Sequence, residues 1–294
     1  MDEKRYLELL RRTLLNEIYI ENDVRFLYLF ATMSVHGNID GNVVRQIGHH
    51  KADWLSGVKN ARREGRPWWL INYTDANAQP QTLNLRSVCD FNHTMVGRLR
   101  LENIEKCLDI VRLENIPGDV AETGAWRGGA SIFMKGYLQA YALADRNVWV
   151  ADSFEGMPVP SLPQDAGWDF SPAKVPILAV SLEEVQENFR RYDLLDESVK
   201  FLKGWFCDTL PQAPIEKLSL LRLDGDLYES TMDALNALYD KVVPGGFVIV
   251  DDYGDFEPCH KAITEFRDTH GITAPLEEID WSGVFWRKTE SRPG

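Results

Sequence analysis

The sequence predicts an α/β fold in which a mostly parallel sheet of seven strands is flanked by helices. From about residue 98 onward, short apolar runs alternate with segments of helical periodicity, and this alternation is typical of a parallel sheet. Several of the apolar runs end in an aspartate. The chain closes with two short runs around Trp281-Ser282-Gly283, which predict a hairpin and therefore an antiparallel last strand.

The first 90 residues are predicted to form a mainly helical extension, followed by the sheet domain of residues 91–294. Residues 4–20 place apolar side chains at helical spacing and predict an amphipathic helix. The polar stretch from Asn72 to Pro80 predicts a loop at the end of the extension.

Each element of the sheet domain follows from its own pattern of apolar residues. Strands are predicted over residues 119–123, 147–152, 199–203, 218–224, 246–251, 275–280 and 284–288. Helices are predicted over residues 99–113, 129–143, 181–192, 228–241 and 258–270.

Composition argues against several classes of function. The 294 residues include 45 acidic and 32 basic side chains, which gives a net charge of -13. Nucleic-acid binding needs a basic surface and anionic membranes attract polybasic segments, so neither partner is expected. The four cysteines are far apart and form no CxxC pair, which argues against a zinc site or a disulfide framework. Since no apolar stretch approaches ~18 residues and no signal-peptide core is present, we expect a cytoplasmic protein.

A glycine-rich turn joins the first strand of the sheet to a helix. Residues 119–131 read DVAETGAWRGGAS, without the G-x-G-x-x-G spacing that binds a dinucleotide. Glu122, just before the turn, would repel a phosphate but suits a cationic ligand such as the sulfonium of S-adenosylmethionine. The alternative is a purely structural turn.

Acids also follow the next two predicted strands. Asp152 ends the strand of residues 147–152, where a carboxylate can accept both hydroxyls of a ribose. Trp205 and Asp208 follow the third strand and suit an adenine ring and its amino group. Helix capping and core packing remain the alternatives for these residues.

Two acidic clusters follow two later strands. One apolar run leads into Asp224-Gly225-Asp226, and another leads into Asp251-Asp252. Ligands of open α/β sheets bind outside the carboxyl ends of the strands, and gathered carboxylates suit a hard cation such as Mg2+.

These acids predict a metal-assisted active site. Asp224, Asp251 and Asp252 are expected to hold Mg2+, and Asp224 is also expected to accept a proton. Asp226 and Glu229 are instead predicted to cap the following helix.

Several long motifs resemble the macrocin O-methyltransferase family, whose members methylate sugar hydroxyls of antibiotics. The motifs are HTMVG (93–97), residues 117–133, VWVADSFEGMP (148–158), GWFCDTLP (204–211), LRLDGDLYESTM (221–232), PGGFVIVDDY (244–253) and DWSGVFWRK (280–288). The antiparallel last strand agrees with the class I methyltransferase sheet that this resemblance implies. The segment ahead of His93 looks longer than is usual in the family, which leaves the acceptor open.

The resemblance also implies the ligands and the partners. S-adenosylmethionine would be the methyl donor, Mg2+ the metal, and a glycosylated small molecule the acceptor, in a protein expected to form a homo-oligomer. The implied cofactor contacts are Thr94, Met95, Glu122, Thr123, Gly124, Ala125, Arg127, Ser131, Asp152, Ser153, Trp205 and Asp208. The implied metal ligands are Asp224, Asp251 and Asp252, with Asp224 doubling as general base.

Two other functions fit part of the pattern. A phosphatase of the haloacid dehalogenase type also uses Asp-x-Asp after a strand and a later acidic pair, but it carries its nucleophile on an early strand. A non-catalytic nucleoside-binding module would use the glycine-rich turn alone. Clustered carboxylates repel one another without a cation, which argues against a structural role for the acids.

Overall fold

Apolar runs form a central sheet that positions the acidic residues at one edge. The computed structural model describes residues 2–22, 25, 56–57, 59, 69–74, 80–85 and 92–289. The helices and strands, in chain order, are α1 (Glu3–Leu14), β1 (Trp69–Thr74), β2 (Pro80–Leu85), α2 (Arg98–Leu113), β3 (Asp119–Thr123), α3 (Gly129–Ala140), β4 (Val148–Asp152), α4 (Leu182–Arg191), β5 (Val199–Lys203), α5 (Phe206–Thr209), β6 (Leu218–Leu223), α6 (Tyr228–Leu238), β7 (Val242–Val250), α7 (Glu257–Thr269), β8 (Glu277–Glu278) and β9 (Val284–Arg287).

The central sheet has seven strands in the order β5-β4-β3-β6-β7-β9-β8. The pairs among β3 to β7 are all parallel. Strand β9 lies antiparallel to both of its neighbours, β7 and β8. The predicted fold class, a mostly parallel class I methyltransferase sheet with an antiparallel last strand, is therefore confirmed.

The direction in which strands are added to the sheet reverses between β3 and β6. From β3 the sheet continues outward through β4 and β5, whereas on the other side it continues from β6 to β7. Such a switch point opens a crevice at the carboxyl ends of the strands, where α/β proteins bind their ligands. Thr123 and Leu223 are paired at this edge, so the residues that follow them meet in the crevice.

The core covers both faces of the central strands. All six residues of β6 are buried, and so are the last five residues of β7. Helices α6 and α7 contribute apolar side chains to the same core. Its members include Leu218, Leu221, Leu235, Leu238, Val248, Val250, Ile263, Phe266 and Trp286.

The extension differs in part from its prediction. Helix α1 is present, but β1 and β2 form an antiparallel pair, so Asn72 and Pro80 belong to strands and the loop prediction is wrong for them. The run WLINYT is rich in aromatic and β-branched residues, which favour strands. Most of the remaining predicted extension lies outside the described residues.

The chain divides into two compact units, one of residues 8–99 and the other of residues 1–7 and 100–294. The proposed domain limits, residues 1–90 and 91–294, stay a prediction. Within the part of the chain that the structure describes, no helix has the length and apolar character of a membrane span.

Candidate active site

Backbone hydrogen bonds continue the sheet for one residue beyond its strands. The amide of Gly124 donates to the carbonyl of Ala151 (2.8 Å), and the amide of Asp224 donates to that of Thr123 (2.9 Å). The amide of Asp251 donates to the carbonyl of Leu223 (2.9 Å). The glycine-rich turn and both acidic turns are therefore held side by side.

Gly124 allows the closest backbone approach in this crevice. Its φ is +87°, and a Cβ added there would lie 1.7 Å from the carbonyl oxygen of Asp224. No side chain fits in that space, and few L residues adopt this φ. The glycine is thus required for the approach of β3 to β6, whereas its predicted contact with a cofactor stays a prediction.

A buried arginine that the sequence analysis missed lies at the centre of the site. Arg222, on β6, is 1% exposed. Its Nη1 lies 2.5 Å from Glu122 Oε1 and 2.7 Å from Asp224 Oδ2, and its Nη2 contacts Asp251 Oδ1. Glu122 and Arg222 are cross-strand partners in the parallel register. The available signal was a charged residue inside an apolar strand, because a buried charge needs a partner.

A second arginine, Arg100, occupies the other oxygen of Asp251. Its Nη1 contacts Asp251 Oδ2, and its Nε lies 2.9 Å from Asp280 Oδ2. Both oxygens of Asp251 are therefore held by guanidinium groups. The neighbouring arginines thus offset the charge of Asp251 while no cation is present, and its predicted place in the metal set stays a prediction.

The structure also brings together Asp224, Asp226 and Asp252. Each of them offers a carboxylate oxygen, and these oxygens lie within 4.8 Å of one another. The Oδ2 atom of Asp252 is buried without a hydrogen-bond partner among the described residues. Three converging carboxylates, one with an unsatisfied oxygen, fit a hard divalent cation.

Negative charge exceeds positive charge at the site, and the pKa values reflect this. Burial and the charge of Asp224 raise the pKa of Asp226 to about 7. Burial also raises the pKa of Asp224, despite the opposing effect of Arg222. The pKa of Asp252 is well above its usual range, through burial and the charges of Asp226 and Asp224. A cation at the cluster would remove the repulsion that raises these values.

Glu122 has a protein partner for each of its carboxylate oxygens. Its Oε1 pairs with Arg222, and its Oε2 accepts a hydrogen bond from Ser131 Oγ. Burial raises its pKa to about 7, although the charge of Arg222 acts in the opposite direction. The two effects coexist because a single guanidinium is shared among the buried carboxylates of Glu122 and Asp251 and the half-buried one of Asp224. The predicted contact of Glu122 with a cofactor stays a prediction.

The raised pKa of Glu122 predicts how stability depends on pH. Between its ordinary pKa of 4.5 and the folded-state value of about 7, the folded protein keeps a proton that the unfolded chain has released. The free energy of unfolding therefore falls as pH rises through this window, by on the order of 3 kcal/mol from this group. Urea unfolding from pH 4.5 to 8 should show a smaller fall for Glu122→Gln than for the wild type. The exposed Glu187→Gln should follow the wild type, and equal slopes for all three proteins would contradict the prediction.

Asp152 organises the glycine-rich turn. Its Oδ2 accepts from the amides of Ala125 (2.7 Å) and Trp126 (3.3 Å), and its Oδ1 accepts from that of Phe154 (2.7 Å). Burial raises its pKa, and these amide bonds act against that rise. The carboxylate thus fixes the turn locally, and its predicted bond to a ribose stays a prediction.

The structure also places the other predicted cofactor residues. Thr123 and Ser131 are fully buried beside Glu122, and Ser153 Oγ donates to the carbonyl of Gly156 (2.6 Å). Arg127 stacks on the Trp126 ring at 4.3 Å.

Two further candidates lie around α5, beyond β5, and two lie in the other unit. Trp205 is 39% exposed, and Asp208 is exposed in the first turn of α5. Thr94 is buried and Met95 is exposed within residues 8–99. A role in cofactor binding stays a prediction for all four.

The prediction that Asp226 and Glu229 cap α6 is wrong. The residue before the helix, Leu227, has no side-chain acceptor, and the first two helical amides donate to Asp165 instead. This acid comes from the connection between β4 and α4, and no local sequence signal marks it as a cap. Asp226 is thereby left available to the acidic cluster.

Comparison with known proteins identifies the family. The family model described as Macrocin-O-methyltransferase (TylF) matches residues 3–288. Demethyldecarbamoylnovobiocin O-methyltransferase from Streptomyces niveus is 50% identical over 79% of this chain and 81% of its own length. Mycinamicin III 3''-O-methyltransferase from Micromonospora griseorubida is 49% identical over 67% of this chain and 79% of its own.

Solved structures agree with this assignment. The O-methyltransferase NovP is 41% identical, with a TM-score of 0.75, over 98% of this chain and 100% of the NovP chain. The expectation of an unusually long segment ahead of His93 stays a prediction. The calicheamicin methyltransferase CalS11 is 19% identical, with a TM-score of 0.51, over 68% of this chain and 84% of its own, and it shows the fold alone.

These matches agree with the sheet order and with the crevice between β3 and β6, and they argue against the phosphatase alternative. The chain belongs to the macrocin O-methyltransferase family and is an O-methyltransferase.

Proposed function

We propose that this enzyme transfers the methyl group of S-adenosylmethionine to a sugar hydroxyl of a glycosylated natural product, with the help of Mg2+. The names of the relatives support the acceptor class. One relative, from Streptomyces olivaceus, is a 4'-O-methyltransferase whose named substrate carries a rhamnosyl group, and it is 48% identical over 73% of this chain.

The crevice between β3 and β6 supports the choice of donor. The glycine-rich turn is held by Asp152, whose Oδ1 accepts from a single backbone amide and has the capacity to accept a further hydrogen bond. Trp205 offers an exposed ring near the carboxyl end of β5. We assign Asp152 to the ribose and Trp205 with Asp208 to the adenine.

The acidic cluster supports the metal. Its donor set consists of carboxylate oxygens, which Mg2+ prefers, and Asp252 Oδ2 is buried without a partner among the described residues. We assign Asp224, Asp226 and Asp252 as the residues that hold it. When bound, Mg2+ would lower the pKa of a hydroxyl beside it, as it does for water.

The protein's own groups would then prepare the acceptor. Methyl transfer is an in-line displacement, so the site must orient the acceptor oxygen toward the methyl group and remove its proton. Asp224 is the proposed proton acceptor, and Arg222 holds its Oδ2 at 2.7 Å and so fixes its orientation. Asp226 is a second candidate, because its carboxylate oxygen lies within 4.8 Å of that of Asp224.

The observation that supports this proposal most directly is that the glycine-rich turn meets the acidic cluster where Gly124 lies against Asp224. Chelation of divalent ions is expected to abolish methyl transfer to a sugar-bearing acceptor, and added Mg2+ is expected to restore it. The measurement is transfer of a labelled methyl group from S-adenosylmethionine, with and without EDTA. Full activity in EDTA would refute the metal assignment, and binding of the donor without any turnover would favour a non-catalytic module.

The remaining expectations extend the proposal. We place the enzyme in the cytoplasm as a homo-oligomer, without a nucleic-acid or membrane partner. Residues 1–90 are proposed to form an extension, and residues 91–294 the catalytic domain. Size-exclusion chromatography with light scattering tests the oligomeric state.

A further inference from the structure

Asp165 is a fully buried acid that the proposed chemistry does not use. It ends a short 3-10 helix, Pro163–Asp165, in the connection between β4 and α4. Its Oδ1 accepts from the amide of Tyr228 (2.7 Å), and its Oδ2 accepts from that of Glu229 (3.1 Å). A carboxylate 63 residues earlier in the chain thus caps the helix that follows the acidic turn.

That turn needs external support. Asp226 has a φ of +56°, and the amide of Leu227 lies 2.5 Å from the carbonyl of Gly225. Together these describe a γ-turn whose central residue has positive φ, an uncommon and strained conformation. Such strain persists only where surrounding contacts hold it. At the start of α6, the carboxylate of Asp165 accepts hydrogen bonds from two backbone amides. Hydrogen bonds between a backbone amide and a carboxylate are stronger than those between two neutral groups.

The same connection also contacts the second acidic turn. Trp168 and Phe170 pack against Phe256, with ring centroids 5.4 Å and 5.2 Å apart. The amide of Phe256 donates to the carbonyl of Asp252 (3.0 Å). One segment therefore holds the turn that carries Asp226 and the turn that carries Asp252.

We propose that Asp165 is a positioning residue for the acidic cluster. It fixes the start of α6 so that the γ-turn keeps the carboxylate of Asp226 beside those of Asp224 and Asp252. This inference rests on the proposed function, because it takes the cluster to be the site of a divalent cation. Loss of Asp165 should loosen the turn and weaken cation binding while the sheet remains folded.

Asp165→Asn tests the inference, because it removes the charge and one acceptor with little change in volume. Two variants serve as matched controls. Ser181→Ala removes an ordinary cap from α4, where Ser181 Oγ accepts from the amide of Glu184 at 3.2 Å. Ser161→Ala removes a bond from the same connection to Glu229 Oε2 (2.6 Å) but leaves the cap of α6 intact.

Two measurements on the cofactor-free protein read out the effect. Calorimetric titration with MgCl2 should show about tenfold weaker binding by Asp165→Asn, in line with the loss of a helix cap, and less than about twofold change in either control. Hydrogen–deuterium exchange should accelerate at the amides of 227–230 in Asp165→Asn, and not in the controls.

The outcomes separate this inference from the proposed function. A wild-type protein that binds no Mg2+ would overturn the metal assignment, and this inference with it. Equal Mg2+ affinity in the wild type and Asp165→Asn, with unchanged exchange at 227–230, would overturn only the positioning role. An equal loss of Mg2+ affinity in Ser181→Ala would mean that Asp165 contributes only to general stability. That result would also overturn the positioning role.

Discussion

Asp224→Asn is expected to reduce turnover by roughly a hundred- to ten-thousandfold, the range that a general base contributes, while the affinity for S-adenosylmethionine stays near the wild-type value. The substitution keeps the size of the side chain, so the bond to Arg222 is weakened without loss of packing. It removes the negative charge that would both attract a cation and accept a proton. Single-turnover kinetics and calorimetric titration with the donor measure the two quantities separately.

The control for this prediction acts on the donor half of the crevice. Asp152→Ala removes the acceptor of three backbone amides in and after the glycine-rich turn, so it should weaken donor binding first. The opposite result, normal turnover in Asp224→Asn, would remove Asp224 from the chemistry. If Asp226→Asn instead lost turnover and showed an altered pH profile, proton acceptance would be assigned to Asp226.

Arg222→Met is expected to destabilise the fold by about 3–5 kcal/mol at neutral pH, because it leaves buried carboxylates without their cation. Glu122 and Asp251 are both nearly inaccessible to water, so water cannot take the place of the guanidinium. The loss of stability should become smaller as pH falls, since protonated carboxyl groups no longer repel one another. Urea unfolding at pH 5 and pH 8 measures both effects.

An exposed ion pair provides the matched control for Arg222. Arg190 pairs with Glu187 at 3.3 Å, and both side chains are about half exposed. Such pairs contribute about 0–1 kcal/mol, so Arg190→Met should change stability little at either pH. A comparably small effect of Arg222→Met would mean that the buried network is not what holds the three strand ends together.

Much of the sheet could be predicted from the sequence because its signals are local. Apolar strand runs, the turn after Thr123 and the aspartates after β6 and β7 each mark their own position along the chain. The parallel arrangement then places these ends at one edge. This reasoning alone predicts that Asp224 and Asp252 lie close together.

The remaining features of the candidate site depend on contacts between distant parts of the chain, which leave no local signal in the sequence. Asp251 carries the same local signal as Asp252, and only its contacts with Arg100, 151 residues earlier, and with Arg222 show that both of its oxygens are occupied. Asp226 looked like a helix cap because the acid that performs this role, Asp165, is remote in sequence. Arg222 does carry a local signal, a charge inside an apolar strand, but two of its three partners, Glu122 and Asp251, are remote in sequence.

The close approach at Gly124 also has an evolutionary consequence. Since a single methyl group on this residue would collide with the backbone of Asp224, the junction of the two turns tolerates no side chain at this position. We therefore expect substitutions that alter the choice of acceptor to lie outside this junction. Enzymes that diverge in this way would keep the junction unchanged.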